Sequence, residues 1–467
     1  MENISAIAAP WTVAAAPRGL PVFGHAFSLL RRPLDFLRSL YGCGDLVEVR
    51  LGLQRVYVVC HPELSLQVLR DSRAYDKGGA FYDTIRLAFG DGLITSEQKV
   101  HQRHRRLIQP AFRHDRIAGY SAVMQAEAEV LINGWQSGQI INVSDAMHAL
   151  TMRIAMATLF SASVDAGVVA EVQWCVHVLQ RGMHRRTTVP FDPLHRIPTP
   201  GNRQFAATLV RLQSVIDDII ATRRAHNSNY DDLLSHLFAV DESDGDSMGD
   251  REVHDQVMTL LMAGSETTAN ALVYCWYLIG KHPEVERRLH AEVDDVLAGR
   301  APTFDDLPRL TYVKQVFTEV LRLYPPVWIF TRTTSRDTEL AGRSLAAGTT
   351  IMCSPYLLHH DPALFPDPER CDPDRWSATR AGTVPRGAFL PFGGGNRKCI
   401  GDSFAISEGV LILAAIASRF ALRCIPGEEI KPVPRVSLGT GPLRMTSQAR
   451  RPPDRYTPAS PSAQDHR

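Results

Sequence analysis

The stretch Phe392-Gly393-Gly394-Gly395-Asn396-Arg397-Lys398-Cys399-Ile400-Gly401 sets a single cysteine on a glycine-rich loop, just behind two cations and ahead of a helix. Glycines tolerate positive φ, so a loop rich in them can turn backbone N–H groups inward around a sulfur. Neighbouring cations and a helix start both favour thiolate over thiol. A cysteine in such a setting can serve as the axial ligand of a haem iron and push electron density towards O–O cleavage. Other readings fit less well. A lone cysteine can be an inert buried thiol. A G-x-G-x-x-G dinucleotide register starting at Gly393 puts Lys398 where the third glycine belongs. None of the eight cysteines forms a C-x-x-C pair, which argues against zinc.

A second cluster is Ala263-Gly264-Ser265-Glu266-Thr267-Thr268. Glycine and threonine are poor helix-interior residues, yet the apolar periodicity runs through them. The Thr267 hydroxyl can bond back to the carbonyl of Ala263 and bend the helix. Gly264 leaves room beside it. The groove so formed could hold O₂, with the Thr267 hydroxyl and the Glu266 carboxyl as a proton relay. A kinked core helix with self-satisfied threonines is the alternative. Two further sets pair charges on one helical face: Glu319 with Arg322, and His101 with Arg105.

These residues need a scaffold, and the chain reads as mainly α with a minor β region. Residues 46–51 and 55–60 read as a hairpin turning near Gly52. Residues 62–240 are mostly helical, broken by loops at 77–92 and 188–201. Long helices are expected over about 250–280 and 308–324, the second stopped by Pro325-Pro326. Short strands follow within 331–354 and a strand-like end at 432–445. The chain has 467 residues, 45% of them hydrophobic, and a net charge of +1, which argues against general nucleic-acid binding. Scattered cysteines fit a reducing, cytoplasmic setting. The alanine-rich start is too short and too broken by Pro10 to span a bilayer. The expected layout is a flexible segment 1–17, one domain over 18–449 and a disordered tail 450–467.

Phe-x-x-Gly-x-Arg-x-Cys-x-Gly at 392–401 resembles the haem-binding signature of the cytochrome P-450 family at every fixed position. The other motifs resemble that family in the right order. The resemblance implies the single-domain P-450 fold and haem b, with Cys399 on the iron and Glu266 and Thr267 in the oxygen-binding motif. It implies propionate contacts from His101, Arg105, Arg332 and Arg397. Many relatives have tryptophan where His101 stands; others of bacterial type have histidine. It also implies a structural Glu319–Arg322 pair joined by Arg375, with Cys371 standing where an aromatic is commoner. The activity implied is monooxygenation with O₂, using electrons from NAD(P)H through a ferredoxin and its reductase. Lys99, Arg103, Arg106, Arg113 and Lys398 are the candidate docking patch.

Residues 109–113, 181–186 and 190–198 resemble the sesquiterpene-oxidising actinomycete members. They imply a lipophilic substrate such as pentalenene, its methyl group oxidised stepwise to alcohol and aldehyde on the way to a pentalenolactone-type antibiotic. A macrolide, fatty acid or steroid is the alternative substrate. A peroxide-driven or isomerising enzyme and a non-catalytic haem sensor are the rival classes. The expected pocket is apolar: residues 80–89, Ala263 and Val327-Trp328-Ile329.

Overall fold

The computed structural model describes residues 11–160, 165–188, 195, 197–226, 232–238 and 248–450. The helices that matter for the site are α1 (Ala80–Phe89), α2 (Gln98–Ile108), α3 (His114–Asn133), α4 (Val143–Phe160), α5 (Ala166–Thr188), α6 (Asp250–Lys281), α7 (Thr311–Leu323) and α8 (Asp402–Arg419).

α6 is the axis of the molecule. Its 32 residues begin at a cap in which the Gly249 N–H donates to the Glu252 carboxylate at 3.0 Å, and end before His282-Pro283. From Ala269 to Trp276 every residue is buried, as expected of a helix enclosed on all sides. α7 buries Val313, Val316, Phe317, Val320 and Leu321 at helical spacing. Its free N-terminal amides are capped from outside, by Glu292 accepting from the N–H groups of Tyr312 at 2.7 Å and Val313 at 2.9 Å.

A smaller sheet region flanks the helices. Its strand order is Val13–Ala15, Leu46–Leu51, Gln54–Val59, Thr350–Cys353, Phe330–Thr334, Tyr75–Asp76. The hairpin turns at Gly52 and Leu53, with Gly52 at φ 63°. In Phe330–Thr334 the period-two alternation buries Phe330, Arg332 and Thr334, so an arginine is carried inward by strand geometry alone. A second sheet joins Phe420–Cys424, Arg444–Ala449 and Ile140–Asn142. A short hairpin, Val433–Pro434 with Leu438–Gly439, hangs beside α6.

Three sequence expectations change. The loop expected over 77–92 contains α1, which buries Tyr82, Ile85, Ala88 and Phe89. Its flanking glycines, Gly79 at φ 84° and Gly90 at φ 60°, cap the helix rather than break it. The leading segment expected to be flexible to residue 17 includes Val13–Ala15, a strand paired in parallel with Leu46–Leu51. At the other end Arg450 is fastened: its N–H donates to the Arg419 carbonyl at 2.9 Å and its guanidinium meets Asp294 at 2.7 Å. Residues 451–467 and most of 189–196 lie outside the described residues. Among the described residues no helix is long and apolar enough to cross a membrane.

Candidate active site

The cysteine loop is held in shape by its backbone. Gly393 and Gly395 sit at φ 68° and 64°, and a Cβ on Gly395 would run into the Leu69 carbonyl. The Cys399 N–H donates to the Phe392 carbonyl at 2.9 Å, closing the loop before α8 begins. The Cys399 side chain is accessible. Desolvation by the surrounding chain pushes its thiol up, while the Gly401 amide, Arg105 and Lys398 pull it down. The net direction is upward.

Beside the loop lies a nest of positive charge. Arg105 donates to the Lys398 carbonyl at 2.6 Å, and Arg397 pairs with Asp76 and donates to the Ser96 carbonyl at 2.8 Å. Arg332 is 5% exposed and bonds the Tyr82 hydroxyl at 3.2 Å. Lys77, which the motifs did not single out, joins them and donates to the Ile94 carbonyl at 2.7 Å. Burial and the neighbouring Arg332 and Arg397 hold Lys77 well below the usual lysine range. His101, 2% exposed, is driven down to about 2 by burial, then by Arg397, Lys77 and Arg105, so it is neutral. The His101 Nδ1 and Arg397 Nε atoms are buried without a hydrogen-bond partner among the described residues. Cations forced together in this way, with Asp76 beside them, call for an anion of more than one charge. The two propionates of a haem would meet that requirement, and the Cys399 thiol would supply a ligand for its iron.

α2 is clamped to α6 by two of its side chains. Arg103 donates to Glu252 at 2.6 Å, and buried His104 bridges Glu252 at 3.1 Å and Gln256 at 2.9 Å. Arg105, Arg106 and Arg113 line a surface groove of about 550 Å³ that reaches Asn396 of the cysteine loop.

On α6 the Thr267 hydroxyl donates to the Ala263 carbonyl at 2.8 Å, leaving its lone pairs free to accept. The helix runs on unbroken through this point. A Cβ built on Gly264 would meet nothing within 4 Å, so the groove beside Thr267 is open. Glu266 faces Ser437 and Arg435 of the short hairpin. Burial raises it above the usual carboxyl range, and Ser437 and Arg435 oppose the rise. Ser437 in turn accepts from Asn270 at 3.1 Å. Of the expected apolar lining, Trp328 belongs to the core beneath the sheet and donates its indole N–H to the Arg435 carbonyl at 2.9 Å, whereas Val327 is open.

Behind the loop, Glu319 and Arg322 form a fully buried bidentate pair at 2.9 and 2.7 Å, with Arg375 at 3.4 Å. His359 ties this knot to the loop: its Nε2 accepts from the Leu390 N–H at 2.9 Å and its Nδ1 faces the Arg322 carbonyl at 3.2 Å. Burial holds His359 well below the usual range, consistent with a neutral ring protonated on Nδ1. Nothing in the local sequence marks it.

Glu408 on α8 is 1% exposed and lies near Thr268 of α6, and its Oε2 has no hydrogen-bond partner among the described residues. Burial pushes it up to about 8. The folded state thus keeps a proton that the unfolded chain has lost. The stability this confers is full below the ordinary carboxyl range and is lost as pH rises through about 8. Thermal unfolding at about pH 6 and about pH 9 should show the wild type losing more stability than Glu408→Gln. Equal losses would mean the carboxyl titrates normally.

The sequence model of the cytochrome P450 family matches residues 15–446, and the chain belongs to that family, whose cofactor is haem iron. It is a cytochrome P450 enzyme. It is 50% identical to a protein named cyclooctatin synthase from Streptomyces melanosporofaciens, over 94% of this chain and 96% of that one. It is 48% identical, over the same shares, to cyclooctat-9-en-7-ol 5-monooxygenase of that organism. It is 42% identical to pentalenene oxygenase of Streptomyces avermitilis, over 90% of this chain and 93% of the relative. The crystal structure of the cytochrome P450DA heme domain superposes with a TM-score of 0.85 at 26% identity, over 96% of this chain and 100% of that one.

Proposed function

We propose that this protein is a monooxygenase that places one oxygen atom of O₂ into a terpenoid, with haem b held through Cys399. The observation that carries the reading is the accessible Cys399 side chain on a loop set beside Arg332, Arg397 and Lys77. Haem, when bound, supplies the activation of O₂ and the oxidation of an unactivated C–H bond. Cys399 would ligate its iron, and His101, Arg105, Arg332 and Arg397, with Lys77, would hold its propionates.

Thr267 offers hydroxyl lone pairs to water entering over Gly264, and Glu266 carries protons in from the Ser437 side. Electrons come from a ferredoxin and its reductase, which dock in the cytoplasm at the groove of Arg105, Arg106 and Arg113. The terpenoid reading draws on the relatives, whose names include a monooxygenase of an alcohol and an oxygenase of pentalenene. A finer reading, methyl oxidation of a sesquiterpene such as pentalenene to alcohol and aldehyde, rests on the last of these.

Purified holoenzyme with a surrogate ferredoxin system should consume O₂ and NADPH when given terpenes and yield hydroxylated product. Turnover of a macrolide or fatty acid alone would refute the substrate class. Peroxide-supported turnover with no response to NADPH would refute the electron source. Thr267→Ala should still bind haem and substrate, yet lose product per NADPH by about tenfold or more, with the electrons recovered as hydrogen peroxide. Unchanged coupling would remove Thr267 from proton delivery.

A further inference from the structure

One corner of the molecule, near the start of the chain, turns large apolar side chains into solvent. Residues 20–24 form a tight loop in which Leu20 and Gly24 exchange two backbone bonds at 2.8 Å. This loop is fastened to the first hairpin. The His25 N–H donates to the Arg50 carbonyl at 2.6 Å, and the Gly52 N–H to the Phe23 carbonyl at 3.1 Å. A Cβ on Gly24 would run into the Arg50 carbonyl, so glycine is what lets the two segments lie this close. Phe23 is thereby set beside the hairpin tip, where Leu53 is 99% exposed. Val22 is held at φ 65°, where a β-branched residue is strained, with 77% of its surface in solvent. The helix that follows, Ala26–Arg31, buries none of its residues. Its Leu29 packs against the core beneath the sheet, whereas Phe27 and Leu30 are exposed, as are Leu20 and Phe23.

Six large apolar side chains fixed at one corner exceed the scattered singles that any surface carries. Their charged setting says what covers them. Residues 18–34 and 50–55 contain five arginines and no carboxylate. All five, Arg18, Arg31, Arg32, Arg50 and Arg55, are exposed. Glu48, shared among Arg50, Arg55 and Arg343 at 3.7 to 3.9 Å, cannot neutralise them all. Asp35, on the next helix, is the first carboxylate further along the chain. Arg31 lies over the Phe27 ring at 5.7 Å, so charge and apolar surface are in contact. A protruding apolar tip ringed by guanidinium groups matches an anionic bilayer. The side chains enter the acyl boundary while the arginines stay with the phosphates. We infer that this corner is a peripheral docking face that seats the enzyme on an anionic phospholipid bilayer without crossing it. The inference goes beyond the oxygenation reading and does not depend on it. A lipophilic substrate would partition into the same bilayer, so docking would shorten its path to the enzyme.

Sedimentation of the full-length holoenzyme with vesicles tests this. The wild type should pellet with an equimolar mixture of phosphatidylglycerol and phosphatidylcholine. With phosphatidylcholine alone it should bind at least about tenfold more weakly, because each arginine near an anionic surface adds about fivefold. High salt should release it. Phe23→Ser combined with Leu53→Ser should weaken binding to the anionic vesicles by about tenfold or more. Arg31→Gln combined with Arg32→Gln should weaken it by a similar factor and flatten its salt dependence. Both variants should unfold at the wild-type temperature and keep the wild-type CO-bound spectrum, since every altered side chain is exposed. Wild type left in the supernatant with anionic vesicles would overturn the inference. So would equal binding to the two kinds of vesicle, or binding that survives in both variants. A dimer broken by Phe23→Ser with Leu53→Ser, without vesicle binding, would assign the face to a second copy and overturn it as well. The comparison between vesicles needs no variant to fold.

Discussion

Glu319→Ala should leave little folded protein able to retain haem. Glu319 and Arg322 are both 0% exposed. The carboxylate accepts from Arg322 at 2.9 and 2.7 Å, from the Trp376 indole at 2.9 Å and from the Asp372 N–H at 3.1 Å. Removing it strands a buried guanidinium and two further donors. Breaking such a pair on one side costs about 3–5 kcal/mol, against a total stability of about 5–15 kcal/mol. The loss should reach the cysteine loop, because Arg322 and His359 together hold Leu390. Thermal unfolding of Glu319→Ala and Glu319→Asp would measure it, with the aspartate variant between alanine and wild type. A loss below about 1 kcal/mol in the alanine variant, the scale of a surface pair, would show that the knot is dispensable.

Cys399→Ser should do the opposite: keep the fold and lose the chemistry. The side chain is accessible, and the loop is closed by the backbone bond from Cys399 to Phe392, which serine retains. Stability should change by no more than about 1 kcal/mol. A serine hydroxyl stays protonated at neutral pH and gives iron no anionic sulfur donor, so NADPH-supported turnover should fall below detection. Turnover near the wild-type rate would mean that another group binds the iron.

What the sequence disclosed and what it hid follow from the range of the interactions. Local geometry was readable. The positive φ of Gly393 and Gly395, the bond from Thr267 to Ala263 and the shared face of Glu319 and Arg322 all depend on residues within a turn or two. The hairpin and the long helices followed from period and breakers. α1 was misread because glycines on both sides look like loop, although Tyr82, Ile85, Ala88 and Phe89 repeat at helical spacing. Partners distant in sequence were invisible. Arg103 and His104 look solvated until α6 brings Glu252 to them. Lys77, His359 and Glu408 carry no local pattern, and each gains its role from another element folded against it. Trp328 reads as pocket because it is aromatic and follows two prolines, yet the sheet region claims it.

The central claim is that Cys399 is the ligand of a haem iron, and the absorbance spectrum of the reduced, CO-bound protein tests it most directly. The wild type should show the red-shifted Soret band of thiolate ligation, and Cys399→Ser should lose that band while still holding haem among His101, Arg105, Arg332 and Arg397. A wild-type spectrum like that of imidazole-ligated haem, or a thiolate band that persists in Cys399→Ser, would contradict the account.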